Sequence, residues 1–336
     1  MATKEKNRQI VLLTIFAMLL VVAGHSDITS DFKELWIYKW AYSFHMPLFF
    51  FISGFLFALT MPNVRVESEK FRFFIKKKAI RLLIPFLFIN TIIFIVKSSI
   101  IKDNSIMQNP VEFTWVSFLD STFMSPVGFM WFLPALFVIF LIVFGYRKLL
   151  ILNKISNEKY LIGILMCIVL VTILDLYLPK IHFLQISQAI HYSTYFLLGL
   201  LYCDYKRALD QWFKRYYFVI VPIFLLLSVS LVLKGFPAAI CGIVFSVIIA
   251  LMLEKECPDS FVKISGFCYT VFLLSYFPQM YIRGPIAHLC PNINQYVLSG
   301  ISFILGLVIP ISIAIVYTKL KTKSTLLSRV GILIGF

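Results

Sequence analysis

The sequence predicts an all-α fold, a polytopic transmembrane bundle of about ten helices forming a single membrane domain over residues 1–336, with both termini cytoplasmic. Three observations predict it. Hydrophobic residues make up 60% of the 336 positions and charged residues only 14%, more apolar surface than a soluble domain of that size can bury. The apolar residues fall in runs long enough to cross about 30 Å of hydrocarbon. Lysines and arginines collect between alternate runs, as expected of a multi-pass protein that keeps its positive loops inside. The formal charge of +15 therefore reports orientation. The lipid bilayer is the expected partner, and nucleic acid is not.

In chain order the expected spans are 9–25, 40–60, 82–100, 127–146, 160–178, 187–203, 216–233, 235–253, 264–282 and 295–318. The first lacks a small-residue cleavage site and runs directly into a polar loop, so it reads as a retained helix and not a secretory signal. The seventh and eighth are separated only by Lys234 and Gly235. With the N-terminus inside, the cytoplasmic segments hold the basic clusters Lys4–Arg8, Arg65–Arg81, Arg147–Lys159, Lys206–Arg215, Lys255 with Lys263, and Lys319–Arg329. Seven of the 31 lysines and arginines are then left outside. The longest outside segment, Ser98–Met124, reads as a connection in preference to a lid. The six cysteines are scattered without metal-like spacing and read as small apolar packing residues. No metal is expected.

The candidate functional residues begin with two histidines. An ionisable group within a membrane helix is costly and normally faces the protein interior, which makes it a site candidate by default. His25 ends the run LLVVAGHS, and His45 leads FHMPLFFFISGFLF with fewer than twenty residues between them. Two successive helices joined by a short loop bring both imidazoles to one side of the membrane. His25 is the candidate general base, with Asp27 or Asp31 placed to orient its ring. Its plain alternative is a boundary histidine solvated by headgroups, and that of His45 an interhelical hydrogen bond. The topology also carries His182, His191 and His288 toward the outer side, where an extracytoplasmic acceptor would arrive. Pro47 and Gly54 permit a kink and close approach of a neighbour or ligand, while Ser53 reads as a packing residue.

The segment FRFFIKKKAIRLLIPF places Lys76, Lys77, Lys78 and Arg81 at the inner mouth of the third span. Such a cluster suits the phosphates of a nucleotide-containing donor, Arg81 by forked hydrogen bonds and the lysines by point charge. Its plain alternative is a positive-inside anchor. The fourth span opens with GFMWFLPALF, where Trp131 is a candidate lining residue or a member of an interfacial aromatic belt.

Together LLVVAGHS, FHMPLFFFISGFLF, RLLIPF after the basic entry and WFLPALF resemble, in order, the acyltransferase-3 family of integral membrane acyltransferases, particularly its fucose 4-O-acetylase-like branch. The resemblance covers roughly the first 140 residues. It implies transfer of an acyl group, usually acetyl from acetyl-CoA, to a sugar hydroxyl of a surface or capsular polysaccharide or its lipid-linked precursor, in a bacterial plasma membrane. It implies a central role for His25 and a CoA-binding role for the cytoplasmic basic residues. Catalytic residues are expected at His25, His45 and Asp27, donor-binding residues at Lys76, Lys77, Lys78 and Arg81, and acceptor-binding residues at Trp131 and Asp31. Two positions depart from the family: Thr14 stands where many relatives carry arginine, and YTVFLLSYFP offers Ser275 or Tyr276 where many carry histidine. The alternatives are a glycan exporter or flippase, and a polyprenyl-linked-sugar glycosyltransferase using Asp27, Asp31 and Glu34.

Overall fold

The computed structural model describes residues 7–26, 36–100, 111–126, 128–229, 234–282, 285–286, 289–290, 292–321 and 330–336. Among these residues every regular element is helical, as lipid requires of a chain whose backbone polar groups must be satisfied within each segment. The helices are α1 (Arg8–His25), α2 (Trp36–Thr60), α3 (Asn63–Ser68), α4 (Phe71–Ile95), α5 (Trp115–Leu119), α6 (Phe132–Leu152), α7 (Asn157–Tyr177), α8 (Ile186–Asp204), α9 (Lys206–Val229), α10 (Phe236–Leu253), α11 (Asp259–Ser265), α12 (Cys268–Leu274), α13 (Tyr276–Tyr281) and α14 (Gln295–Leu320).

Seven helical stretches among the described residues are long and apolar enough to cross a membrane, and an eighth is formed if the bent pair Asp259–Ser265 and Cys268–Tyr281 counts as one span. The remaining two of the ten expected spans correspond to α8 and α9, which are long helices of a more polar kind. The first half of α9 carries Lys206, Arg207, Asp210, Lys214 and Arg215. The third span differs from expectation at its start, because α4 begins at Phe71 and takes Lys76–Arg81 into the helix. Lysine and arginine are good helix formers and their long stems lie along apolar surface. The break expected at Lys234-Gly235 is present: Gly235 adopts φ 61 immediately before α10, a conformation that favours glycine.

The chain divides into two compact units, Met1–Ser53 with Asp204–Leu320, and Gly54–Cys203 with Lys321–Phe336. The division falls inside α2. In the first unit α1 is central, contacting α10, α11, α12, α13 and α14. Met18 and Val22 of α1 pack with Cys268 and Val271 of α12. Arg8 fixes the start of α1, donating to the Cys257 carbonyl at 2.7 Å and pairing with Asp259 at 2.9 Å. Phe44 of α2 fits against Gly242 of α10, where an added Cβ would lie 2.2 Å from its Cγ.

In the second unit α4 and α6 lie side by side around an aromatic core. Phe74 stacks on Phe144 at 4.0 Å, and Phe140 meets Phe57 at 5.8 Å and Phe196 at 5.3 Å. The described part of the Ser98–Met124 connection is anchored to this unit: Asn90 donates to the Ser121 carbonyl at 3.0 Å and Gln185 to that of Met124 at 2.6 Å. Gly54 serves the close approach of α2 to α8, since a Cβ there would stand 1.9 Å from the Phe196 carbonyl oxygen.

That contact yields a paired test. A backbone oxygen cannot swing away, so Gly54→Ala should cost about 1–3 kcal/mol through overpacking. At Gly300 nothing lies within 4 Å of an added Cβ, and Gly300→Ala should be neutral or stabilising by up to about 1 kcal/mol from helix propensity. Thermal unfolding of the detergent-solubilised variants reads both, and a Gly54→Ala protein as stable as wild type would contradict the α2–α8 approach.

Candidate functional site

The C-terminal end of α1 sets the first cluster. The last four carbonyls of a helix have no intrahelical donor, and here they are Val22, Ala23, Gly24 and His25. Three of them are satisfied from identifiable groups. The Ser26 backbone N–H donates to the Ala23 carbonyl at 3.1 Å. The Ser26 hydroxyl donates to the Val22 carbonyl at 2.7 Å, and the Gln279 amide of α13 donates to the same oxygen at 2.8 Å. The Tyr42 hydroxyl of α2 donates to the Gly24 carbonyl at 2.9 Å. His25, half-buried at the end of this turn, is thus held between side chains from two other helices.

His45 is buried, and its ring stands 4.5 Å from that of Tyr42. Its Nδ1 lies 3.2 Å from the Ala41 carbonyl. A carbonyl only accepts, so Nδ1 carries the proton, and in the neutral ring Nε2 keeps its lone pair. His25 and His45 are near enough for the charge of one to be felt by the other. Tyr42 joins them physically, its ring against His45 and its hydroxyl on the turn that ends in His25. Gly24 makes room for that ring, because a Cβ there would stand 2.7 Å from Tyr42 Cε2.

The expected phosphate-binding residues lie in the second unit and are not equivalent. With about 100° of rotation per residue, Lys77, Lys78 and Arg81 share one side of α4 while Lys76 projects elsewhere. Lys77 pairs with Glu69 at 2.7 Å. Lys78 reaches inward over the rings of Phe140, at 3.6 Å, and Phe74, at 5.5 Å. Lys76 and Arg81 are exposed. Lys78 and Arg81 bring positive charge to the same side of α4, which suits a polyphosphate. Next to this group Arg147 is buried and donates to the Met61 carbonyl at 3.2 Å and to Asn63 Oδ1 at 3.1 Å, while Lys148 donates to the Glu69 carbonyl at 2.5 Å.

Trp131 lies at the other end of the same unit, stacked on Tyr192 at 5.4 Å. Beside Tyr192, the His191 ring meets it edge-on at 4.7 Å, and His191 Nδ1 is 2.7 Å from Asp175 Oδ2. The structure therefore joins His25 with His45 in one unit, and Lys77, Lys78 and Arg81 along one helix face in the other. Asp27 and Asp31 lie outside the described residues, as does His288. Ser275 and Tyr276 fall at the junction of α12 and α13, with Ser275 buried. Among the described residues no three His, Cys, Asp or Glu side chains are grouped to hold a metal ion.

Sequence reasoning missed Tyr42, Gln279 and the Asp175–His191 pair as site residues. Tyr42 had a readable signal, standing one helical turn before His45. Gln279 had a weaker one, an amide directly after the proline of a late apolar segment. Asp175 and His191 belong to different helices, and nothing local joins them.

Among known families, the acyltransferase-3 (Acyl_transf_3) model, described as an acyltransferase domain, matches residues 8–318. No curated protein and no solved structure matches the chain.

The tie through Tyr42 can be tested on the folded protein. Tyr42→Phe keeps the ring against His45 and removes the donor to Gly24, which should cost about 1 kcal/mol for one hydrogen bond. Tyr42→Ala removes the ring as well and should cost roughly 3 kcal/mol. Thermal unfolding of the solubilised variants measures the order, and equal losses for both would show that the hydroxyl, not the ring, carries the stabilisation.

Proposed function

The chain belongs to the acyltransferase-3 family, a membrane acyltransferase family, and from that premise we propose that it is an O-acyltransferase of the fucose 4-O-acetylase-like branch. In this reading it moves an acetyl group from acetyl-CoA to a sugar hydroxyl of a cell-surface or capsular polysaccharide or its lipid-linked precursor, in a bacterial plasma membrane. The observation that carries it is the pair His25 and His45, linked through Tyr42 at the end of α1. Family membership sets this reading ahead of export and glycosyl transfer.

His25 accepts the proton of the acceptor hydroxyl, which makes the oxygen a nucleophile toward the acyl carbon, and the proton leaves with the thiol. One ester forms for each thioester broken. His45 acts beside it, and the lone pair on its Nε2 suits it to hold a hydroxyl or share a proton. Asp27 is proposed to orient the His25 ring and Asp31 to bind the acceptor. The donor set formed by Lys77, Lys78 and Arg81 fits the phosphates of CoA, because three cations share that side of α4 and Glu69 offsets the charge of Lys77 alone. The thioester supplies the activated acyl group when bound. Lys76, on another side of α4, is an accessory charge at most. Trp131, stacked on Tyr192 beside the Asp175–His191 pair, offers the combination of aromatic face and polar groups that suits a sugar.

Two experiments test this function. Mass spectrometry of surface glycans should show an ester mass in cells with the intact protein, and no such mass in a deletion strain or with His25→Ala at equal membrane levels. Unchanged esters with altered glycan length or amount would overturn the acyltransferase reading. In steady-state assays, Arg81→Ala should raise the KM for acetyl-CoA about tenfold, the loss of one charge-assisted phosphate contact. Lys76→Ala should change it less than twofold, and equal effects of the two would remove the distinction between the faces of α4.

A further inference from the structure

Gln279 lies on α13, far in sequence from the turn that carries His25 and against that turn in space. Its side-chain nitrogen donates to the Val22 carbonyl at 2.8 Å and lies 3.2 Å from the Ser26 hydroxyl oxygen. Val22 and Ser26 stand three residues before and one residue after His25. These contacts fix which way the amide points. The Val22 carbonyl only accepts, and the Ser26 hydroxyl spends its hydrogen on that same carbonyl, so it too can only accept from Gln279. Both neighbours demand the NH₂ group, and the carbonyl oxygen is forced to the opposite side.

That oxygen, Gln279 Oε1, is buried and has no hydrogen-bond partner among the described residues, and Gln279 as a whole is only 2% exposed. A buried unsatisfied carbonyl is expensive and uncommon in a folded protein. The surroundings are shaped for the amide. Gly306 of α14 leaves the space it fills, since a Cβ there would stand 2.8 Å from Gln279 Cδ, Cγ and Nε2. One turn earlier on the same face of α14, Ser302 Oγ is a second buried polar atom with no partner among the described residues. With Tyr281 Oη of α13, three unspent polar atoms therefore lie on α13 and α14.

We infer that Gln279 is a specificity-determining residue for the acceptor, its Oε1 receiving a hydrogen bond from a sugar hydroxyl while its NH₂ holds the His25 turn. The inference rests on the proposed transfer to a sugar. An acceptor-only oxygen selects a donor, and a polyhydroxylated ring supplies several O–H groups at once. The amide thus couples two tasks: it anchors the turn that carries the base, and it holds the molecule on which that base acts. A site built to receive a hydroxyl discriminates against analogues that lack it, because the buried oxygen is then left unpaired.

The test uses full-length enzyme in detergent, labelled acetyl-CoA, and as acceptor the de-esterified surface glycan of the deletion strain. Gln279→Met fills nearly the same volume without the amide, so it removes the Oε1 acceptor together with the donor to the Val22 carbonyl. It should raise the KM for the glycan about tenfold, the value of one buried hydrogen bond, and lower kcat through the released His25 turn, with the KM for acetyl-CoA within about twofold of wild type. Gly306→Ala is an independent perturbation, since its methyl group must displace the end of a flexible side chain, and it should raise the glycan KM in the same direction. It carries the test alone if Gln279→Met does not accumulate. A glycan KM within twofold of wild type in the accumulating variants overturns the assignment, as does a rise confined to acetyl-CoA. Wild-type enzyme that transfers no label to the glycan overturns the proposed function and this assignment with it; wild-type transfer with unchanged variants overturns the assignment only.

Discussion

The constraint on which the site depends is the unsatisfied carbonyl end of α1. In water those oxygens would be solvated; in or near hydrocarbon they must be met by protein. The chain meets them with Tyr42 from α2 and Gln279 from α13, together with Ser26. Satisfying a backbone requirement therefore brings three helices together at the turn that carries His25. Placement of the proposed base and backbone satisfaction are the same event here.

The second unit solves a different problem, that of keeping cations beside an apolar core. Lys78 lies over Phe140 and Phe74, and Arg147 spends its forked donors on Met61 and Asn63. Glu69 takes Lys77 on its carboxylate and Lys148 on its backbone carbonyl. Lys77 apart, aromatic faces and carbonyls stabilise these charges without neutralising them. What is left is a cluster with a net positive charge, which is the property that recognition of phosphate requires.

Much of the fold was legible in the sequence because hydropathy acts locally. The apolar runs located nearly every long helix, and Lys234-Gly235 marked the break before α10. The structure bears out the helices more fully than the count of ten spans, because composition and length conflict in some of them. A polar helix such as α9 is helical without meeting the hydropathy of a span, and α4 extends past its apolar stretch because lysine and arginine favour helix as well as marking an interface. His25 and His45 were recognisable as candidates because an ionisable side chain in an apolar run is costly wherever it lies.

By itself, then, the sequence determined that this is an all-helical membrane chain, which family pattern it carries, and which ionisable residues stand in apolar surroundings. Those properties follow from transfer energies and spacing along the chain, both of which are local. Only the tertiary structure decided that Tyr42 joins the two histidines, that Lys78 turns inward while Lys76 does not, that Asp175 pairs with His191, and that Gln279 bonds the turn holding His25. Each is a contact between separate turns or separate helices, chosen by packing geometry and by the need of buried polar groups for partners, and neither is written in the order of the residues.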